Sequence, residues 1–542
     1  MKRQEPVTSS PGSLLDRIEL GFNFATRMVD PEQDYLPYWG LVYNGRNVLR
    51  HGRIDRCDTP FCWMEIILVN RALTGTQKAP EVEAGLRKWC ATDWQPDGLH
   101  YPVGKAAEGA GDYCFLHGLA YVLDAMVSWY SLTGEADVRK RIDGLIAACR
   151  RIAVPANLHA DLGAAEAARE TSGSSALYFP FNNYVPGKVW DPAGHSVVNN
   201  YELPGTGTFI LPLARYYEMT GDERAGELAA GLTEYMLNVS YLYGHDGRFI
   251  GHFHRHLWSI AGILKYAVLT GNDQYLSRAR RVYGFAEQLG SPFGWFPEMV
   301  GLNSPADEYS ETCCIYDMIH GALTLARSGC DEYWDRVSCY AKNQLMKSQF
   351  TEPGALDDGA LAARLVGGFT GWTQVNDYFT RKGEIYPCGC CTFHGVKALH
   401  CVWEAACERK GRDTWIHLLF DRENDDLVMR SWLPQEGRVT VELKRPGSLC
   451  LRIPPWAREN LAVARNGQAA PAEWRGNYLA FRNAKPGDEI RVEFTVPEWG
   501  QEMEIGGRPF RIEWRGDVVT RVEPGGSCLP LYERPAPVPR GG

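Results

Sequence analysis

The chain has 542 residues, of which 45% are hydrophobic and 12% aromatic, and these proportions allow a large buried core divided over two or three domains. The formal net charge of -9 and the lack of a Lys/Arg run argue against a nucleic-acid partner and against an anionic membrane surface. The N-terminal residues show no apolar block of signal-peptide type, and no run of 18 apolar residues follows. We therefore expect a cytoplasmic protein without a membrane segment.

Short glycine-containing turns recur through the first three quarters of the chain. Each one separates two segments of helical apolar periodicity, and glycine at such a point is typical of a helix end, because the left-handed conformation there costs glycine nothing. The clear copies are Leu73-Thr74-Gly75, Leu132-Thr133-Gly134, Met219-Thr220-Gly221 and Leu269-Thr270-Gly271, and the weaker ones are Arg327-Ser328-Gly329 and Arg409-Lys410-Gly411. Five to six hairpins predict an (α/α)6 barrel, a six-hairpin toroid, over residues 1–414. A helical solenoid is the alternative, but the turns are too irregularly spaced for identical stacked repeats.

The composition changes at about Trp415, where short alternating segments rich in β-forming residues take over. Residues 439–443 and 490–494 are two of them, and turn signals such as Asn466-Gly467 separate the segments. This spacing predicts a C-terminal antiparallel β-sandwich over residues 415–534. The Pro-rich residues 535–542 are predicted to form a disordered tail.

Two dense cysteine groups stand out among sixteen cysteines that are otherwise mostly single, next to apolar residues, and interpreted as reduced. They are Glu311-Thr312-Cys313-Cys314 and Cys388-Gly389-Cys390-Cys391. Thiolates with one carboxylate are ligands that a tetrahedral zinc ion takes. Ser310 is the expected N-cap of a helix after the first group, and the helix-like run 395–407 follows the second. A helix N-terminus stabilises negative charge, so both positions favour thiolates.

Spacing alone leaves three interpretations of these cysteines open. The first is a structural zinc site, because four protein ligands normally close the coordination shell. The second is a vicinal or redox-active disulfide. In the third, zinc holds a thiolate that attacks an electrophilic carbon as a covalent nucleophile.

The cysteine motifs resemble the signature of glycoside hydrolase family 127 and its relative family 146. Glu311-x-Cys313 opens one predicted helix, Cys390-Cys391 opens another, and residues 451–457 of the β region extend the resemblance. The resemblance implies a retaining exo-acting β-L-arabinofuranosidase with an (α/α)6 barrel and accessory β-sandwiches, acting on furanosides of plant-type glycans. It also implies that Cys390 attacks the anomeric carbon. The implied Zn2+ ligands are Glu311, Cys313, Cys390 and Cys391.

A retaining glycosidase needs a second group that protonates the leaving oxygen and later activates water. In these families it is a glutamate upstream of the Glu-x-Cys motif. Glu298, at the end of Gly294-Trp295-Phe296-Pro297-Glu298, loosely resembles that glutamate, and Glu308 is the competitor. We favour Glu298, because its aromatic and apolar neighbours would raise the pKa of its carboxyl group. The alternative for Glu298 is a surface carboxylate without a catalytic role.

A second polar group lies upstream, in residues 251–256. His252, His254 and Arg255 are predicted to hydrogen-bond a sugar. The alternatives are purely structural hydrogen bonds or a second metal on the three alternating histidines, although the run contains no carboxylate. His394 joins them as a predicted substrate contact, since it stands where the related families have an asparagine. Cys314 and Cys388 receive no role.

Two further functions stay open from the sequence. One is a sugar epimerase on an α/α toroid, which would use histidines such as His254 or His394 as acid and base and would need no zinc-bound thiolate. The other is a non-catalytic carbohydrate-binding protein whose zinc is structural. The expected partner is a carbohydrate in every case, and a homodimer stays open.

Overall fold

The structure is a computed structural model, and it describes residues 12–42, 48–49, 51, 54–102, 113–156, 175–180, 182–185, 203–301, 308–351, 363–378, 389–526 and 529–532. Cys388 and the predicted tail 535–542 lie outside these residues. Among the helices that the structure describes, none is both long and apolar enough to cross a membrane.

Twelve helices in the described ranges form six pairs. Four pairs turn at a glycine, Gly75, Gly134, Gly221 or Gly271, whose φ of 66° to 70° is the left-handed conformation expected at these helix ends. The pairs are α2 (Thr59–Thr74) with α3 (Pro80–Ala91), α4 (Leu116–Thr133) with α5 (Ala136–Ile152), α6 (Ile210–Thr220) with α7 (Glu223–Glu234), α8 (Phe253–Thr270) with α9 (Asp273–Leu289), α10 (Thr312–Arg327) with α11 (Tyr333–Tyr340), and α12 (Gly389–Ala406) with α1 (Leu14–Arg27).

The even-numbered helices form the inner ring of the barrel. Each packs on the next in chain order, and α12 returns to α2, which closes the ring. The sixth pair joins the two ends of the helical region, where Gly21 of α1 faces Val396 of α12. A Cβ atom at Gly21 would lie 2.3 Å from Val396 Cγ2, so only glycine permits this close approach. The predicted (α/α)6 barrel is therefore confirmed.

One predicted helical turn is wrong. Arg409-Lys410-Gly411 joins two strands, β1 (Cys407–Lys410) and β2 (Asp413–Ile416), rather than two helices. The glycine signal is real, since Gly411 has a φ of 65°, but a tight β-turn uses the same backbone conformation as a helix end. Strand structure thus starts at Cys407, ahead of the composition change near Trp415.

A buried ionic network ties four inner helices together. Lys397 of α12 donates to Asp124 of α4 at 2.6 Å and to Glu65 of α2 at 3.2 Å. Arg215 of α6 donates to the other oxygen of Asp124 at 2.6 Å. Because removal of one partner would leave an uncompensated buried charge, this network fixes how the inner helices meet.

The C-terminal β region consists of two larger sheets that enclose one apolar core, plus a three-stranded sheet. Neighbouring strands are antiparallel, except that β2 runs parallel to the strand Gly447–Arg452. The strands that follow β2 are β3 (Arg422–Glu423), β4 (Leu427–Ser431), β5 (Arg438–Leu443), β6 (Gly447–Arg452), β7 (Ala462–Arg465), β8 (Gln468–Ala469), β9 (Trp474–Arg475), β10 (Tyr478–Ala484), β11 (Glu489–Glu493), β12 (Glu498–Ile505), β13 (Arg508–Arg515) and β14 (Val518–Glu523). The sheet orders are β1-β2-β6-β10-β9, β3-β4-β5-β11-β7-β8 and β12-β13-β14.

Polar anchors attach the β region to the barrel. Both terminal nitrogens of Arg452 in β6 donate to Asp335 of α11 at 2.8 Å. Asp517, in the turn between β13 and β14, accepts from Ser338 at 2.7 Å and from Lys342 at 2.8 Å. These ion pairs hold the β region against the outer side of the barrel.

Short elements tie down the connections between the barrel helices. The two-residue strand pairs are Val29–Asp30 with Leu36–Pro37, Leu41–Val42 with Val48–Leu49, Cys114–Phe115 with Asn183–Tyr184, Val154–Pro155 with Leu177–Tyr178, and Gly251–His252 with Met299–Val300. Short helical turns span Pro31–Gln33, Ile54–Cys57, Leu203–Phe209, Tyr235–Val239, Ala341–Leu345 and Pro455–Ala457.

Candidate functional site

Polar and thiol side chains gather at the end of the barrel where inner helices begin. His117, His254, Cys313 and Cys390 are each the second residue of an inner helix, namely α4, α8, α10 and α12, and all but His117 were picked out by the sequence. Backbone N–H groups in the first turn of a helix have no partner within the helix, and the helix dipole places partial positive charge there. The starts of these four helices therefore favour negatively charged groups at this end of the barrel.

Three thiols form the centre of this site. The Sγ atoms of Cys313 and Cys391 are 3.5 Å apart, those of Cys390 and Cys391 are 4.0 Å apart, and all three lie within 4.8 Å of one another. A disulfide would require about 2.05 Å, so the structure contains no vicinal disulfide at this pair. Two thiolates held about 2.3 Å from a tetrahedral zinc ion lie about 3.8 Å apart, which agrees with the observed separations. Cys313 and Cys391 are fully buried, whereas Cys390 is partly exposed.

A strap formed by residues 369–373 holds the two cysteine-bearing helix starts together. Thr312 of α10 donates to the carbonyl of Thr370 at 3.0 Å, and Thr392 of α12 accepts from the backbone N–H of Phe369 at 3.1 Å. Backbone hydrogen bonds of 2.8 and 2.9 Å pair Ser310 with Thr373. This pairing keeps Ser310 extended, so α10 begins one position later than predicted and Glu311, rather than Ser310, occupies the N-cap position.

Glu298, Glu311 and His252 form a second group next to the thiols. Their ligand atoms lie within 4.8 Å of one another, and His252 Nε2 is 3.3 Å from Glu311 Oε2. Glu298 is placed by its backbone, which accepts from Phe253 N at 2.9 Å and donates to Tyr309 O at 2.7 Å. Burial, and after it the charge of Glu311, raises the pKa of the Glu298 carboxyl to about 8. Burial also raises the pKa of Glu311 well above its usual range, and Cys391 adds to this effect.

Glu308, the competitor of Glu298, has a different environment. It forms an ion pair with Arg508 of β13 and lines a pocket together with Trp295 and Asn376. Glu298, in contrast, lies beside His252 and Glu311. The structure thus places Glu298, and not Glu308, in the group of acidic and imidazole side chains next to the thiols.

His254 and His394 lie in the interior, with exposed fractions of 2% and 0%. Burial lowers the pKa of both imidazoles, that of His394 to about 3, so both rings are neutral. His254 is hydrogen-bonded on both sides of its ring, with Nδ1 at 2.7 Å from Asp317 Oδ2 and Nε2 at 3.0 Å from the Tyr121 hydroxyl oxygen. The ring of His394 stacks on Tyr316 with centroids 4.6 Å apart. Their predicted role as sugar contacts stays a prediction.

Sequence reasoning missed four residues of this site. His117, Tyr121 and Trp258 surround His254 through ring contacts, and Asp317 orients it. All four lie on inner helices within reach of the helix starts. The sequence shows that these segments are helical, but the shared end of the barrel follows only from the closed ring.

The fold, but not the sequence, matches known proteins. No protein-family model and no curated protein matches this chain. The crystal structure of a GH127 β-L-arabinofuranosidase from Geobacillus stearothermophilus T6 has a TM-score of 0.60 and 16% sequence identity, covering 94% of this chain and 80% of that one. Another GH127 β-arabinofuranosidase gives a TM-score of 0.61 at 16% identity, with 93% and 78% covered, and a protein described as a glycoside hydrolase gives 0.60 at 15%, with 96% and 83% covered. This chain therefore shares the fold of these enzymes.

Proposed function

We propose that this protein is a retaining exo-glycosidase that removes a β-L-arabinofuranosyl-like sugar from plant-type glycans, with Cys390 as its nucleophile. The observation that carries this proposal is the thiol cluster, in which partly exposed Cys390 stands beside the buried thiols of Cys313 and Cys391. The fold shared with GH127 β-L-arabinofuranosidases supports it. The resemblance of the cysteine motifs to the signature of that family links the fold to this chemistry.

The donor set fits a zinc ion. Three sulfur atoms at the separations of a tetrahedral site offer the soft ligands that zinc prefers, and the carboxylate of Glu311 is the nearby candidate for the fourth position. Glu311 contacts His252 at 3.3 Å, so its carboxylate would have to turn towards the thiols when the metal binds. Bound zinc would keep the cysteine sulfurs deprotonated at neutral pH. The ligands we propose are Glu311, Cys313, Cys390 and Cys391.

Cys390 is the thiol best placed to attack a substrate. It is partly exposed, whereas Cys313 and Cys391 are shielded from solvent. In the first step its sulfur would form a bond to the anomeric carbon while the bond from that carbon to the leaving oxygen breaks. Water would then displace the sulfur from the same carbon, and two inversions give net retention.

Glu298 is the group that we propose as acid and base. It would donate its proton to the leaving oxygen in the first step and accept a proton from the attacking water in the second. Its partial exposure lets a substrate reach the carboxyl group, while its backbone hydrogen bonds hold it near His252. Arg255 lies close enough to His252 and Glu311 for its positive charge to act on both groups, and we propose that His252 and Arg255 hydrogen-bond sugar hydroxyl groups.

The test is hydrolysis of a chromogenic β-L-arabinofuranoside by the full-length protein and by Cys390→Ser. We expect activity in the parent protein, with retained stereochemistry by NMR, and almost none in Cys390→Ser. The matched control is Cys401→Ser, which changes another partly exposed cysteine of α12 and should keep full activity. If Cys390→Ser hydrolyses the substrate as fast as the parent protein, Cys390 is not the nucleophile.

A further inference from the structure

Cys313 belongs to two overlapping groups of metal-binding atoms. One contains the thiols of Cys390 and Cys391, and the other contains ring nitrogens of His254 and His394. In each group all ligand atoms lie within 4.8 Å of one another. The Cys313 sulfur therefore stands between two sets of donors.

The imidazole ring of His394 is buried and makes no hydrogen bond within the described part of the chain. Neither of its ring nitrogens has a hydrogen-bond partner there, and the residue is 0% exposed. Its ring is held in place by stacking on Tyr316, with an interplanar angle of 9°. A buried imidazole normally has partners for its ring nitrogens, so those of His394 are free to bind a ligand.

His254 is oriented as metal-ligating histidines usually are. Asp317 Oδ2 lies 2.7 Å from Nδ1, so Nε2 is the ring nitrogen whose lone pair can face a metal on the other side of the ring. The Tyr121 hydroxyl now occupies that lone pair at 3.0 Å. Stacking on Trp258, with an interplanar angle of 11°, fixes the plane of the ring.

We propose that His254, Cys313 and His394 form a second metal position, which takes a divalent cation of the zinc type and shares the Cys313 thiolate with the three-cysteine site. Two donors on a tetrahedral zinc ion lie about 3.3 to 3.8 Å apart, so side chains whose ligand atoms lie within 4.8 Å of one another would move closer together around the ion. Two imidazoles and one thiolate suit zinc and neighbouring transition metals better than magnesium or calcium, which prefer oxygen. The Tyr121 hydroxyl is the nearest group for a fourth ligand.

This position shares the Cys313 sulfur with the zinc site of the proposed glycosidase, but it is tested separately from the glycosidase reaction. It uses no group that we assign to attack or proton transfer, and its occupancy can be measured without a substrate. If the protein does not hydrolyse the arabinofuranoside, the second metal position can still be found. If no second ion binds, the proposed glycosidase reaction still stands.

The test is the metal content of the full-length protein after saturation with Zn2+ and removal of free metal, measured by mass spectrometry of the elements. We expect two ions per chain in the parent protein and one in His394→Gln and in His254→Gln. The matched control is His256→Gln, a buried histidine of α8 whose Nε2 contacts the carbonyl of Ile250 at 3.0 Å and which lies outside both groups. That variant should still bind two ions.

A titration of the parent protein with Co2+ makes the result independent of any variant. Two successive phases of the sulfur-to-cobalt absorption band are expected, because each metal would bind the Cys313 sulfur. Saturation of the parent protein at one ion per chain would overturn the proposal. Two ions retained in His394→Gln, or an equal loss in His256→Gln, would overturn it as well.

Discussion

The sulfur atoms of Cys313 and Cys391 lie 3.5 Å apart, although 78 positions separate the two residues in the chain. They meet because α10 and α12 are neighbours in the inner ring and begin at the same end of the barrel. The strap 369–373 is bonded to both helix starts through Thr312 and Thr392. The two cysteine motifs therefore form one structural unit.

Alkylation should distinguish the three thiols. In metal-free protein, iodoacetamide should modify Cys390 faster than Cys313 or Cys391, because the latter two are fully buried. Zinc should change the rate at which Cys390 is modified, since coordination replaces the thiol proton and turns a free thiol into a metal-bound thiolate. Peptide mass spectrometry over time measures the rates, and partly exposed Cys330 should react equally with and without zinc. A rate for Cys390 that zinc leaves unchanged would speak against metal binding by this thiol.

Glu298→Gln should lower kcat for a substrate with a poor leaving group by about 10²- to 10⁴-fold, the usual contribution of a general acid. The reason is that the amide cannot donate a proton as a carboxyl group does. Glu308→Gln should change kcat little, because Glu308 is paired with Arg508. Steady-state kinetics of both variants shows which glutamate is the general acid, and the opposite pattern would assign this role to Glu308.

Thr392→Val should destabilise the protein by about 1 to 3 kcal/mol, because the buried N–H of Phe369 would lose its acceptor. It should also weaken zinc binding, since the strap would hold the start of α12 less firmly. Thr392→Ser keeps the hydroxyl group and should retain most of both properties. Urea unfolding and metal competition with a chromophoric chelator measure the two effects. Equal losses in both variants would show that the hydroxyl is not the important group.

Lys397→Met should lower the free energy of unfolding by about 3 to 5 kcal/mol, because Glu65 and Asp124 would remain buried without this cation. Lys265→Met is the control, since it breaks an exposed pair with Glu218 and should cost about 0 to 1 kcal/mol. Chemical unfolding followed by circular dichroism gives both values. Similar small losses would mean that the buried network contributes little.

Glu408 should make stability depend on pH in the acid range. Burial alone would raise the pKa of its carboxyl group, but the His417 imidazole at 3.7 Å and the nearby Arg327 lower it to about 2. The unfolded value is about 4.3, so the folded state binds the proton less tightly and the stabilisation is complete above that pH. It should disappear as the pH falls from about 4.3 towards 2. Unfolding at pH 5 and pH 3 should show a larger loss in the parent protein than in Glu408→Gln, and equal losses would contradict this role.

Much of the fold could be predicted because its signals are local. The glycines at 75, 134, 221 and 271 end helices in the structure as expected, since a left-handed residue after an apolar-periodic segment is a property of the chain itself. The same local signal failed at Gly411, because a β-turn needs the same conformation. Which of the two applies depends on the pairing of β1 with β2, and that pairing is not encoded in the turn.

The sequence by itself determined that two thiol-rich motifs stand at helix starts, and through them the expectation of zinc. Only the tertiary structure decided which residues meet there. It places Glu298 beside His252 and pairs Glu308 with Arg508, although only ten positions separate these glutamates. It also brings His394 next to Cys313. The physical reason is that helix formation depends on neighbours along the chain, whereas these contacts arise only when six inner helices close into a ring and bring their first turns together.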